Sequence, residues 1–249
     1  MTIIQLMDMP ILLGLLVVVS FLYASVGHGG ASGYLALMSI FSFPVTFMKP
    51  SALLLNILVS ALAFYFYQQE NKVPWKTFSP FVITSIPFAF IGGYLTIDTF
   101  YFNIILATVL IVAVLRLLGV FGKEKATLSQ VHIPLAMIFG AIIGLLSGFL
   151  GIGGGILLTP LLIILGWATF KQAATMSALF ILINSISGLM GFITKGQTID
   201  SGVLVMAGFV FVGGTLGAYY GSKKFNTVVL KNILAVVLAI AIYKLYVTA

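Results

Sequence analysis

Almost the whole chain falls into ten apolar stretches, at 11–26, 31–44, 50–67, 78–96, 99–118, 132–150, 154–166, 172–194, 201–221 and 227–247, joined by short polar segments. A water-soluble domain of 249 residues cannot bury this much apolar surface. Hydrophobic residues make up 61% of the chain and charged residues 7%, where soluble domains carry roughly 25% charged residues. The stretches do not alternate residue by residue, which excludes a porin-like barrel. The expected fold is therefore an all-α polytopic membrane protein, with the lipid bilayer as its solvent. The residues before Pro10 lack the basic segment of a cleavable leader, so 11–26 is read as part of the mature membrane domain.

Two of the stretches, 31–44 and 154–166, are shorter than the roughly 20 residues a full crossing needs. Each follows a glycine cluster, Gly27-His28-Gly29-Gly30 in one case and Gly151-Ile152-Gly153-Gly154-Gly155 in the other. Three adjacent glycines cost about 1 kcal/mol each relative to alanine inside a helix. Packing alone does not justify that cost, so each cluster is expected to open the backbone near the middle of the bilayer. The short arms then read as half-helices or re-entrant arms. Gly140, Gly144 and Gly148, spaced every fourth residue, form a small-residue ridge suited to close helix packing.

The chain reads as a duplication. Gly27, Gly29 and Gly30 fall on Gly151, Gly153 and Gly154 at one constant offset. Ser51-Ala52-Leu53 then matches Ser177-Ala178-Leu179, and Gly92-Gly93 matches Gly213-Gly214. Loop charge sets the relative orientation of the copies. With an odd number of crossings per half, one side collects Lys72, Lys76, Arg116, Lys123, Lys125, Lys171, Lys223, Lys224 and Lys231. The other side keeps Lys49, Lys195 and Lys244 with Asp8, Asp98 and Asp200. The basic side is expected to be cytoplasmic. Asp98 follows one glycine pair, whereas Lys223 and Lys224 follow its match, so equivalent loops lie on opposite faces. The expectation is an inverted repeat with both termini outside: a first membrane repeat at 1–118, a cytoplasmic linker at 119–131 and a second membrane repeat at 132–249.

In its second copy the chain reads Gly144, Gly148, Gly151, Gly153, Gly154, Gly155 and then Pro160; the first copy is weaker, with His28 between the glycines and Ala31 in place of the third. This pattern, with the order of segments over nearly the whole chain, resembles the TauE/SafE sulfite exporter family. The resemblance implies a multi-pass carrier in the bacterial or archaeal inner (plasma) membrane, exporting small sulfur-containing anions such as sulfite or organosulfonates.

The residues themselves point to a site at the two breaks. N–H groups of Gly27, Gly29, Gly30, Gly151, Gly153, Gly154 and Gly155, at the positive ends of half-helices, can hold an anion. Ser51, Asn56, Ser177 and Asn184, in the third segment of each half, can complete the shell or bridge helices. The serine match sets Asn56 opposite Leu182. His28, an ionisable group within a membrane segment, is a substrate contact and the candidate carrier of a coupling proton, or else a neutral ring bonded to a freed carbonyl. Thr175 is a contact of the same kind, and Ser25 and Ser147 are weaker ones. Lys49 and Lys171 read as interfacial lysines able to guide an anion, and His132 as an ordinary interfacial histidine.

Other classes fit poorly. Twelve basic residues exceed five acidic ones, but they are scattered over several loops, and no basic-aromatic stripe speaks for nucleic acid. No Lys-Ser/Thr follows the glycines as in a phosphate-binding loop. Cysteine is absent, no metal-ligand spacing occurs, and no acids pair within a segment, so neither an enzyme, a cofactor nor a metal site is expected. The alternative kept open is a channel or carrier for a different solute or ion on the same fold, since freed carbonyls can bind cations.

Overall fold

The structure is a computed structural model that describes residues 9–96, 98–120 and 128–224, with 238–239, 242–243 and 245–247 near the C-terminal end. Among the described residues the chain is helical, without strands: α1 Pro10–Ala24, α2 Ala31–Ile40, α3 Val45–Glu70, α4 Trp75–Tyr94, α5 Thr99–Leu117, α6 Ile133–Leu150, α7 Gly155–Leu165, α8 Phe170–Thr194 and α9 Val203–Lys224. α3, α4, α6, α8 and α9 are long and apolar enough to cross a bilayer, and the other four are shorter apolar helices. Large apolar side chains such as Ile83, Ile138, Met190 and Leu204 point outward, as lipid-facing residues do. The expectation of an all-α multi-pass membrane protein holds. The stretch 227–247 lies largely outside the described residues, as do most of the linker and Asp8, Lys123, Lys125, Lys231 and Lys244.

The helix bounds follow the apolar stretches closely, with one instructive difference. The third helix begins at Val45 rather than at residue 50, so Lys49 and Pro50 lie inside it. Pro44 caps this helix with φ −69° and ψ 146°, and its carbonyl accepts the N–H groups of Phe47 and Met48. The missing N–H of Pro50 costs one bond early in a 26-residue helix, and membrane helices tolerate such a loss where neighbours cover the freed carbonyl.

Glycines set how the long helices lie on one another. A Cβ added to Gly140, Gly144 or Gly148 would strike the backbone of Phe81, Ser85 or Ala89, so α6 runs alongside α4 in the same direction. Gly213, Gly217 and Gly221 meet Val17, Phe21 and Ser25 in the same way, so α9 runs alongside α1. At the centre α3 and α8 cross with opposite directions: Gly188 lies over Leu53, and Asn56 bonds Ser185. The contacts are reciprocal, α4 on α6 and α8, and α9 on α1 and α3.

Both glycine clusters turn the chain back. The N–H of Ser129, on the approach to α6, donates to the Gly166 carbonyl at the end of α7 at 2.7 Å. The α6–α7 pair therefore leaves and re-enters at the same end of the bundle. In the first half Gly33 lies against Val19 and Tyr23, and Tyr23 Oη shares a 2.6 Å hydrogen bond with Ser32 Oγ. Thus α2 folds back on α1. The short arms re-enter rather than span, which leaves α3 and α4, and likewise α8 and α9, as long crossings.

Candidate functional site

The two breaks are built by left-handed glycines. Gly27 and Gly30 have φ of 75° and 97°, and Gly151, Gly153 and Gly154 have φ of 80°, 74° and 78°. An L-residue in that region costs about 1–2 kcal/mol, so glycine is what the turn requires. Gly30 and Gly154 are the N-caps of α2 and α7, and neither offers a side chain to its helix. Residues 27–39 and 150–156 are buried throughout, so the irregular backbone is covered by protein, as a bilayer demands.

The breaks meet across two side chains. A Cβ on Gly29 would run into Asn56 Oδ1 and lie 2.9 Å from Ile181 Cγ2. A Cβ on Gly153 would lie 2.5 Å from Asn56 Nδ2 and 2.7 Å from the same Ile181 methyl. Asn56 and Ile181, from α3 and α8, thus fill the space between the two openings. Asn56 Oδ1 accepts the N–H of Ala31, the first residue of α2, at 2.9 Å, and its Nδ2 donates to Ser185 Oγ at 3.4 Å. Ile181, one position before the Leu182 that the serine match aligns with Asn56, is the residue of α8 that shares these two openings with it. The same one-position difference sets Gly27 against Ala174 where Gly151 meets Lys49.

A second polar group lies beside the first. His28 Nδ1 is 2.9 Å from the Val26 carbonyl, which can only accept, so Nδ1 carries a proton. His28 Nε2 faces two partners, the Gly155 carbonyl at 3.3 Å and Thr159 Oγ1 at 3.2 Å. Thr159 Oγ1 is also 3.1 Å from the Gly155 carbonyl and 2.5 Å from Ser177 Oγ. In the neutral ring Thr159 donates to Nε2; a protonated ring donates from Nε2 to Gly155. His28 thus ties the first break to the first turn of α7, across the two halves.

Not every expected residue joins these groups. Ser51 Oγ is fully buried and has no hydrogen-bond partner among the described residues, nor do Ser147 Oγ and Tyr34 Oη. The Tyr34 hydroxyl lies over Gly30, where a Cβ would be 2.5 Å from it. Asn184 turns its Nδ2 to the Phe180 carbonyl of its own helix at 2.8 Å, leaving a buried Oδ1 unbonded. Thr175 bonds the Lys171 carbonyl and Ser25 the Leu22 carbonyl. Lys171 is exposed. His132 caps α6, its Nδ1 accepting the Leu135 N–H at 3.3 Å. Lys49 corrects the interfacial reading. It is buried, and its Nζ donates to the carbonyls of Gly92, Gly93 and Leu95 at 3.0–3.1 Å. Those carbonyls end α4, and a cation there is favoured by the helix dipole. Thr159, Ser185, Ile181 and Tyr34 were not singled out from the sequence; the only hint was that Thr159 precedes Pro160 in the short arm.

Re-entrant half-helices meeting inside a bundle of apolar crossings define a membrane transporter, with no group of three or more His, Cys, Asp or Glu that could hold a metal among the described residues. The family description "Sulfite exporter TauE/SafE" matches residues 12–245, and the chain belongs to that family. A probable membrane transporter protein of Sinorhizobium fredii is 31% identical over 232 residues, covering 92% of this chain and 94% of the relative. One from Methanocaldococcus jannaschii is 25% identical over 81% of this chain and 79% of its own. One from Bacillus subtilis is 29% identical over 87% and 91%. These relatives are named as transporters and not as enzymes. No solved structure matches the chain.

Proposed function

We propose that the chain is a secondary transporter of small sulfur-containing anions such as sulfite or organosulfonates, exporting them across the inner membrane by alternating access. The observation that carries this reading is the meeting of the two glycine breaks across Asn56. Half-helix N-termini present N–H groups and partial positive charge to a bound anion. Asn56 now satisfies the first of these N–H groups in α2; an anion oxygen would replace its Oδ1, and Nδ2 would become a further donor. The buried, unbonded hydroxyls of Tyr34, Ser51 and Ser147 are donors in reserve. Ser177 and Thr159 would complete the shell from the second half, with Gly151, Gly154 and Gly155 shaping the backbone.

The reciprocal helix contacts support two inverted repeats, 1–118 and 132–249. In that arrangement α1 and α6 correspond but run in opposite directions, each beside the fourth helix of the other half. Lys72, Lys76, Lys171 and Lys223 then share the cytoplasmic side, and Asp98, Asp200 and Lys195 face outward. Rocking one repeat against the other would part Gly29 from Gly153 on alternate faces. His28, bonded across the two halves, is the candidate carrier of a coupling proton. The test is uptake and counterflow of labelled sulfite in proteoliposomes against Na⁺ flux. Saturable anion counterflow is expected; Na⁺ movement without anion movement would overturn the reading in favour of a cation pathway.

A further inference from the structure

The end of the bundle where α3 begins and α4 and α8 finish holds two adjoining hollows. The larger, about 500 Å³, is lined by Phe43, Phe47, Gln197 and Asp200 among others. The smaller, about 60 Å³, lies next to it, with Thr46 and Gln197 common to both. Its walls carry Lys49, Lys195 and Thr96, and no acidic residue is among the described residues that line it. Lys195 is exposed; its Nζ donates to Thr96 Oγ1 at 3.0 Å and stands 5.5 Å from the centre of the Tyr94 ring. The described hydrogen bonds of both lysines end on uncharged oxygens. Two cations at one small hollow, with no counter-charge among the described residues that line it, form an electrostatic well for an anion.

The hollow is also connected to the glycine site. The backbone of Lys49 packs on Gly151, where an added Cβ would lie 2.9 Å from the Lys49 carbonyl oxygen. One residue therefore faces the hollow with its side chain and the second break with its backbone. The larger hollow adds an apolar wall in the tilted ring pair Phe43 and Phe47, whose centroids are 5.1 Å apart. Asp200 lines that larger hollow, its Oδ1 taken by the Gly202 N–H at 2.8 Å.

We propose that the smaller hollow is a second anion site, a vestibular station in which Lys195 holds an oxyanion head group, with the charge of Lys49 behind it, before or after it passes the glycine breaks. A cavity of this size corresponds to about two waters at roughly 30 Å³ each, enough for a sulfite or sulfonate head. A short organic tail would lie in the larger hollow, against Phe43 and Phe47. This rests on the anion reading above but is tested apart from it.

The chain has no cysteine, so Gln197→Cys places a single reporter thiol on the wall shared by both hollows while leaving both lysines in place. Full-length protein in liposomes is treated with anionic 2-sulfonatoethyl methanethiosulfonate or with its cationic trimethylammonium counterpart, each rate normalised to that of a small free thiol. The anionic reagent should react at least ten-fold faster than the cationic one, methanesulfonate should slow it, and high salt or Lys195→Gln should erase most of the preference. Equal normalised rates, or no protection by methanesulfonate, would overturn the station. Sulfite flux without a charge preference at the reporter would sink this site and leave the transport reading standing. Preference and protection without flux would do the reverse.

Discussion

Asn56 Oδ1 accepts the backbone N–H of Ala31 at 2.9 Å, so a side chain from the centre of α3 caps a helix that begins in the interior of the bundle. Ala31 lies in the first half, yet the amide on the other side of Asn56 reaches Ser185 in α8. Asn56→Ala should cost about 1 kcal/mol for the lost cap and lower the thermal midpoint in detergent. Asn56→Asp keeps the acceptor and replaces the donor with a negative charge. Its stability should fall at least as far, because an unpaired buried carboxylate costs more than a lost cap, and sulfite flux should fall at least ten-fold. Retained anion flux in Asn56→Asp would remove this residue from the site, and a gain in Na⁺ flux would favour the cation alternative.

Gly154 tests the break itself. Its φ of 78° disfavours any side chain, and a Cβ would lie 2.8 Å from Ile143 Cγ2 and 2.9 Å from Phe180 Cε1. Gly154→Leu should lose about 1–2 kcal/mol to backbone strain and roughly 1–3 kcal/mol to overpacking. The expected outcome is membrane-inserted protein with no measurable transport. Full counterflow activity in that variant would take the second break out of the mechanism.

Much of this arrangement is legible in the sequence, and the residues show why. Gly153 and Gly154 stood out because glycine is costly in an apolar helix, and the shortness of the arm after them, measured against bilayer thickness, pointed to a half-helix or re-entrant arm. Lys49 was misread because what buries it is distant in sequence: its three acceptors end α4, and the sequence beside it says only that a cation stands near a helix start. Thr159 looked like any hydroxyl until the α6–α7 turn brought it to His28. Asn184, legible as a buried amide, spends its donor on its own helix, a choice of rotamer that sequence does not record. The serine match pairs Asn56 with Leu182, whereas the residue of α8 that reaches the same two glycines is Ile181, a one-residue difference that matching of apolar segments does not resolve.

His28 carries a prediction about protons. Its Nδ1 is committed to the Val26 carbonyl, whereas Nε2 can either accept from Thr159 or, once protonated, donate to Gly155. A gained proton therefore redirects the Thr159 hydroxyl and adds positive charge beside the breaks. Wild-type flux should depend on pH, and an imposed proton gradient should drive it. His28→Ala should flatten both responses while leaving counterflow at fixed pH measurable. An unchanged pH profile would return His28 to a purely structural role.

Lys49 makes a prediction about stability that does not depend on the substrate. Its ammonium has three donors, and all three meet the carbonyls of Gly92, Gly93 and Leu95. Lys49→Met keeps the length and apolar stem of the side chain but leaves those carbonyls at the end of α4 without their cation. A hydrogen bond to a charged group contributes roughly 1.5–3 kcal/mol, and the three are coupled through one Nζ, so the expected loss is about 2–3 kcal/mol rather than three times one bond. The change should be local as well as global. Faster hydrogen exchange is expected in the last turn of α4, whereas the amides of α6, held by the Gly140, Gly144 and Gly148 ridge, should be unaffected. Lys49→Arg retains the charge and should recover part of the loss. If Lys49→Met matched wild type in both melting and exchange, water would be satisfying the end of α4 equally well, and the three bonds of Lys49 would add nothing net to stability.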